Sequence, residues 1–320
     1  METSIYFLVN AAAGGQGGAD VASALPHLLA KFGLTCAVRL IRNGSEVHNE
    51  AERALQSDFR TIVAAGGDGT VSAVASHLLG TDRCLGILPV GTFNYVARDW
   101  GIPLAAEDAV RVIAEGAERV VDVGEVNGRA FLNNAGLGGY AMIVRRRERV
   151  FNSWGRSRIA AYWVILRSLF DLRQSLTLKV TVDGEVWRYR TPMVFIAKSA
   201  YQLEQYSLAG SACVAQRKLV LYVAPDCNRW ELMRLAVGLA LGQLEPERDF
   251  ALHCGSEILV ETRKRNRHVV CDGELQRMRG PFRFRLRKDA LRVLAPPAEC
   301  AAPHVESSAS DSATGEAGLP

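Results

Sequence analysis

The sequence predicts an α/β protein of two domains, a doubly wound first domain followed by a β-rich, antiparallel, sandwich-like second one. Three observations carry this. Short apolar runs alternate with helical periodicity up to about residue 115, glycine-rich loops follow several of those runs, and beyond residue 120 the pattern turns to alternating strands joined by Asn-Gly and Asp-Gly. Alternating β and α elements imply a parallel sheet with helices on both faces, and ligands then sit at the carboxyl ends of its strands. Period-two alternation around two-residue turns implies hairpins instead. With 320 residues, 48% apolar and 22% charged, the chain can fill two ordinary globular cores.

The elements follow in order. Ile5–Asn10 is β-like, Ala11–Gly18 is a glycine loop, and Val21, Leu25, Leu28 and Leu29 mark a helix. Thr35–Ile41 is β-like and Glu46–Gln56 helical; Thr61–Ala65, the loop Gly66–Gly69 and the helix Val71–Leu79 repeat the unit, with Thr70 placed as helix cap. Leu85–Pro89 leads into a loop at Val90–Asn94 and a short helix at Tyr95–Trp100, and a last helix falls near Ala106–Glu115. Val120–Val126 and Arg129–Asn134 flank Asn127-Gly128, and Leu176–Val182 runs into Asp183-Gly184, two hairpin signals. Further strands are expected at Met193–Ala197, Lys218–Val223, Ile258–Glu261, His268–Cys271, Phe282–Leu286 and Leu291–Leu294, with helices at about 156–172 and 229–241. The tail from Pro296, rich in Ala, Ser, Pro and Glu, is expected to be disordered.

Composition narrows the function classes. The seven cysteines are scattered, odd in number and without a CxxC pair, which suggests neither a disulfide framework nor a zinc site and fits a reducing cytoplasm. Met1–Ser4 lacks a basic segment before the first apolar run, so no signal peptide is expected. The longest apolar stretch, Ile159–Phe170, reaches about half of the roughly 20 residues a spanning helix needs, and Arg167 interrupts it. With Tyr162 and Trp163 beside basic residues it reads as a core helix or one resting on a bilayer interface. Net charge is +4, with arginines crowded at 145–158 and 263–292; these read as solvated faces, or as patches for anionic headgroups or nucleic acid. The six histidines show no metal spacing.

Chemistry concentrates in two loops. In Gly66-Gly67-Asp68-Gly69-Thr70, glycines without Cβ let backbone N–H groups converge on phosphate oxygens, where a helix dipole also favours anions. Gly91-Thr92-Phe93-Asn94 is a second loop at the same sheet edge, and together they read as a phosphate cradle. Gly15-Gln16-Gly17-Gly18 lacks the third glycine of a dinucleotide fingerprint.

These segments resemble the catalytic domain of diacylglycerol kinases and the related bacterial lipid kinases and sphingosine kinases. The family order is an Asn closing the first strand, GGDGT, PxGTxNxxAR and, much later, DGE. Here it appears as Asn10, Gly66–Thr70, Pro89–Arg98 and Asp272-Gly273-Glu274. The resemblance implies an ATP-dependent lipid kinase: a nucleotide-binding domain over 1–125, rejoined by about 290–296, and a lipid-holding domain over 126–290, with 297–320 as tail. It implies transfer of the γ-phosphoryl group to a lipid hydroxyl, nucleotide contacts from Asn10, Gly66, Gly67, Asp68, Gly69, Thr70, Gly91, Thr92 and Asn94, and Mg2+ arriving with ATP. Glu274 is taken as the base with Asp272 in support, and Asp68, the base of the sphingosine kinase branch, is the alternative. A second DGE triplet, Asp183-Gly184-Glu185, reads as a hairpin turn.

The chain departs from the family in three places. Asn10 is followed by Ala11-Ala12-Ala13-Gly14 instead of the usual NPxSG, and no threonine stands in Arg39–Asn43, where the family often has one. Bacterial members carry an acidic DDG-like segment for an accessory magnesium, whereas the matching stretch here is Ala215-Gln216-Arg217-Lys218-Leu219. Basic side chains do not ligate a hard cation, so that accessory site is expected to be absent. The expected setting is cytoplasmic, peripheral to the inner face of the membrane, with no nucleic-acid partner and a homodimer left open. A non-catalytic nucleotide- or lipid-binding regulator, and an NAD kinase, are the alternatives.

Overall fold

The computed structural model describes residues 5–14, 17–42, 44–145, 175–226 and 250–297, with 230, 231, 234 and 237 singly. The basic run 146–158, the apolar run 159–170, nearly all of the helix expected at 229–241, and the tail from 298 lie outside the described residues. Among the described residues no helix is long and apolar enough to cross a membrane.

β1 (Ile5–Asn10), β2 (Cys36–Ile41), β3 (Thr61–Gly66) and β4 (Cys84–Pro89) form a parallel sheet in the order β2-β1-β3-β4. Every residue of β3 and β4 is buried, as expected of central parallel strands covered on both faces. α2 (Val47–Leu55) packs beside α3 (Asp68–Leu78), and α1 (Gly17–Lys31) beside α5 (Ala106–Glu115), giving two helical layers around a core of Phe7, Leu8, Ile62, Leu85 and Val110. Between them the five-residue α4 (Tyr95–Asp99) follows the second glycine loop.

The second domain is a sandwich. One sheet runs β12-β11-β10-β7-β14-β15, built from β7 (Asn134–Gly138), β10 (Met193–Ala197), β11 (Leu219–Val223), β12 (Ala251–Gly255), β14 (Asn266–Cys271) and β15 (Glu274–Arg279). Facing it, β13 (Glu257–Thr262), β8 (Leu176–Val182) and β9 (Glu185–Thr191) hang on β16 (Phe282–Ala295). Leu137, Val180, Val194, Leu221, Val260 and Phe284 fill the space between. Two short helices, α6 (Ala200–Gln205) and α7 (Ser211–Ala215), link β10 to β11.

β16 joins the domains. Its start pairs antiparallel with β13, its end lies parallel to β4, and β5 (Ala117–Val126) runs antiparallel beside it, so that one sheet spans both halves. The two runs expected at 282–286 and 291–294 are therefore one strand. The polar stretch between them is a bulge, where the register shifts between Arg287 and Leu291 and Asp289 takes φ 51°. On β16, Phe282 and Phe284 face the core while Arg283, Arg285 and Arg287 point outward to Glu257 and Glu125. That part of the arginine-rich stretch is the ion-paired outer face of a strand.

Two further expectations are corrected. The strand expected at 129–134 breaks into β6 (Arg129–Phe131) and β7, because the amides of Leu132, Asn133 and Asn134 turn to a carboxylate instead of a neighbouring strand. Cys213 and Cys254 form a disulfide, against the reading of scattered free thiols. They are 41 residues apart, and it is the pairing of β11 with β12 that brings α7 and β12 together, which spacing does not reveal. Cys36, Cys84 and Cys271 are free.

Candidate functional site

The two glycine loops lie side by side at the carboxyl edge of the parallel sheet, after β3 and β4. A Cβ on Gly91 would meet Gly67 Cα at 2.5 Å, so part of the glycine requirement comes from the loops pressing on each other. A Cβ on Gly69, by contrast, would meet nothing within 4 Å. Gly67 is the N-cap of α3, and the first helical bond runs from Val71 N to Gly67 O at 3.1 Å. The amides of Gly69 and Thr70, in the first turn, consequently have no intrahelical acceptor.

This corrects the expected cap. α3 begins at Asp68, not Val71, and Thr70 is a buried residue inside its first turn. Its hydroxyl accepts from Asn10 Nδ2 at 2.9 Å, while Asn10 Oδ1 accepts from Ala12 N at 3.1 Å. The Asn at the end of β1 thus fastens its own loop to the start of α3. Asn94, at φ 52°, closes the second loop on itself: Oδ1 accepts from Gly91 N at 2.9 Å and Nδ2 donates to Gly91 O at 2.8 Å. Thr92, between them, is exposed.

Asp68 turns toward α4, where Oδ1 accepts from Val96 N at 2.9 Å and so ties the two loops together. Burial pushes its carboxyl up, against the nearby amides that favour the charged form.

Asp272 and Glu274 come from the other domain, on the turn between β14 and β15. Asp272 at φ 49° and Gly273 at φ 85° form a left-handed two-residue turn. The Asp272 carboxylate accepts from Leu132 N at 2.7 Å, Asn133 N at 2.8 Å and Asn134 N at 3.1 Å, and from Ser72 Oγ of α3 at 2.8 Å. Its side chain makes these bonds and none to Glu274. Burial pushes this carboxyl up too, opposed by its four donors. Glu274 Oε2 accepts from Arg129 Nη2 at 2.7 Å, with 42% of the Glu274 side chain exposed.

Sequence reasoning missed Ser72 and Arg129, and also Asp99, whose Oδ1 accepts from Ser199 Oγ at 2.8 Å and Tyr201 N at 3.1 Å across the domain boundary. Only their positions within or just before recognised elements hinted at them. Among the described residues no group of three or more His, Cys, Asp or Glu is placed to hold a metal ion. The 215–219 stretch directs Arg217 onto Asp122 and Asp289, and a guanidinium seated on those carboxylates does not fit an accessory magnesium.

Comparison with known proteins agrees with this architecture. The profile of the diacylglycerol kinase catalytic domain matches residues 4–126, and that of the YegS C-terminal NAD kinase beta sandwich-like domain matches 138–295. Proteins named "Probable lipid kinase YegS-like" from Yersinia pestis (strain Pestoides F) and Yersinia pseudotuberculosis serotype O:1b (strain IP 31758) are each 37% identical over 112 residues. Those matches cover 34% of this chain and 38% of each relative's length. A crystal structure of a diacylglycerol kinase from Bacillus anthracis str. Sterne superposes with a TM-score of 0.70 over 93% of this chain and 98% of that one, at 22% identity, a likeness of fold. The chain belongs to the family that joins a diacylglycerol kinase catalytic domain to a YegS-type C-terminal sandwich.

Proposed function

We propose that the protein transfers the γ-phosphoryl group of ATP to a hydroxyl of a membrane lipid such as a diacylglycerol, a sphingoid base or another glycerolipid, releasing ADP. The observation that carries this is the bond from Ser72 Oγ to Asp272 Oδ2. Residues 200 apart in sequence meet there, so the turn bearing Glu274 stands against the helix that opens in the glycine loop.

The amides of Gly69 and Thr70, without an intrahelical acceptor at the positive end of α3, would bind the transferred phosphate, with the exposed Thr92 hydroxyl of the second loop as a further donor. Asn10, Gly66, Gly67, Gly91 and Asn94 shape the cradle more than they line it. Mg2+ arriving with the nucleotide would supply charge neutralisation. Arg129 fixes Glu274 Oε2, leaving Oε1 to take the proton as the lipid oxygen bonds to phosphorus and the bond to the ADP oxygen breaks. Asp272 positions that turn. Asp68 holds α4 and is the alternative base. The site would draw its substrate from the inner face of a membrane.

One observation favours a second reading, a non-catalytic binding regulator: each of the three candidate acids already has a structural partner. The deciding experiment is radiolabelled γ-phosphate transfer from MgATP to a panel of lipids in mixed micelles, with NAD as a further acceptor and the Glu274→Ala and Asp68→Asn variants alongside. Label on a lipid that vanishes in Glu274→Ala supports the proposal and names the lipid. Loss only in Asp68→Asn moves the base, label on NAD alone makes the protein an NAD kinase, and ATP binding without transfer leaves the regulator.

A further inference from the structure

Arg217 follows α7 in a left-handed conformation, φ 57°. From there its Nε lies 2.7 Å from Asp122 Oδ2 on β5, and its Nη2 bonds both Asp122 Oδ1 and, at 2.8 Å, Asp289 Oδ1 in the β16 bulge. Asp289 N donates to Asp122 Oδ1 at 3.0 Å. Two carboxylates of the strands that join the domains therefore converge on one cation from the second domain. Asp122 is the buried member, its side chain 14% exposed against 44% for Arg217.

A planar guanidinium fits this arrangement, because its fork takes one carboxylate in bidentate fashion and reaches a second with the same nitrogen. It also excludes a divalent ion, by occupying the oxygens such an ion would ligate and by its own charge. A second cation near the junction, Lys198 at 8% exposure, sits 3.8 Å from Asp99 and acts on Asp122 through its charge without pairing with it. The chain from 199 to 217 crosses the boundary at three points: Ser199 and Tyr201 on Asp99, Tyr206 on Tyr95 at 2.8 Å, and Arg217 on Asp122 and Asp289. The first two bear on α4, next to the second glycine loop.

We propose that Arg217 is a built-in cation that takes the place of a divalent ion at the domain junction, positioning the second domain against the β5–β16 ribbon and making the fold independent of an accessory metal. This does not rest on the kinase reading, and its test reads stability in the absence of nucleotide.

Thermal unfolding is followed for the full chain in EDTA and in a few millimolar MgCl2. The wild type is expected to melt within about 1 °C in the two buffers. Arg217→Gly suits the left-handed backbone and leaves Asp122 and Asp289 without their shared ion-paired guanidinium. It is expected to melt roughly 3–8 °C lower in EDTA and to regain about half of that in MgCl2. Arg217→Gly with Asp122→Asn, which also removes the uncompensated charge, is expected to fold and to ignore Mg2+. A wild type raised by Mg2+ as much as the single variant, a single variant that ignores Mg2+, or a double variant that fails to fold overturns the proposal.

Discussion

Asp183-Gly184-Glu185 and Asp272-Gly273-Glu274 are the same three residues in the same left-handed turn, at φ 47° and 98° in the first and 49° and 85° in the second. They differ in what the aspartate faces. Asp183 accepts from Ser256 N and Glu257 N at the exposed end of the sandwich and holds one hairpin to the next strand. Asp272 gathers three amides at the crossing between β6 and β7 and reaches out of its domain to Ser72 on α3. The glutamates part in the same way: Glu185 is exposed on the strand pair β8–β9, while Glu274 is paired with Arg129 where the domains meet. The turn chemistry of Asp-Gly builds both hairpins. Position against the glycine loop is what makes one of them a candidate for catalysis.

The widest separation between the triplets is expected from alanine at the two aspartates. Asp272→Ala leaves three amides and a hydroxyl without their acceptor in a buried place, a loss of roughly 3–5 kcal/mol. Asp183→Ala removes solvent-exposed bonds and is expected to cost about 1 kcal/mol or less. Urea unfolding of the two variants checks this, and equal midpoints would mean that Asp272 is no clamp. Among the glutamates, Glu274→Ala is expected to lower phosphoryl transfer by about 10²–10⁴-fold with little change in melting, and Glu185→Ala to leave transfer unchanged. Transfer retained in Glu274→Ala would erase the functional difference between the triplets.

Much of the first domain was legible because its elements are locally determined. Ala106–Glu115 is helical over the expected residues, and β1, β3 and β4 announce themselves as continuous apolar runs. The start of α3 was misplaced because glycine in a first helical turn resembles a loop: Gly67 caps the helix with no side chain at all. What sequence could not show are the partners. Nothing in Ser72, Arg129 or Asp122 marks it as the far end of a bond spanning 200, 145 or 95 residues. The Cys213–Cys254 disulfide and the unbroken length of β16 were hidden for the same reason, since both follow from sheet pairing between distant segments.

The two ends of α3 offer a milder contrast. Its N-terminus opens in the glycine loop, whereas near its C-terminus His77 Nε2 lies 3.1 Å from His48 Nδ1 of α2. Burial pushes the His77 pKa down, helped by His48 and by Arg129 on β6 and opposed by Glu52 on α2. A histidine whose folded pKa lies below its unfolded 6.5 binds fewer protons when folded, so stability is full above 6.5 and falls as the pH drops through the folded value. Melting is expected to decline as the pH is lowered from 7 to below 6.5, and the decline to shrink in His77→Gln. An unchanged pH profile in that variant would show that His77 does not account for the decline.

The smallest expected change in stability, and the sharpest probe of the cradle, separates Gly69 from Gly91. A Cβ at Gly91 strikes Gly67 Cα at 2.5 Å, so Gly91→Ala is expected to destabilise whether or not a ligand binds. A Cβ at Gly69 enters open space at negative φ inside a helix, and Gly69→Ala is expected to keep or raise stability by up to about 1 kcal/mol. If phosphates occupy that space, the same methyl blocks them. ATP affinity of Gly69→Ala, read by calorimetry, should then fall at least about tenfold, or 1.4 kcal/mol, in a protein that melts no lower than wild type. Stability and binding would move in opposite directions, which a glycine kept only for packing cannot produce. Unaltered ATP affinity in Gly69→Ala would remove the phosphate from the N-terminus of α3, and with it the reason for reading the loop as a cradle.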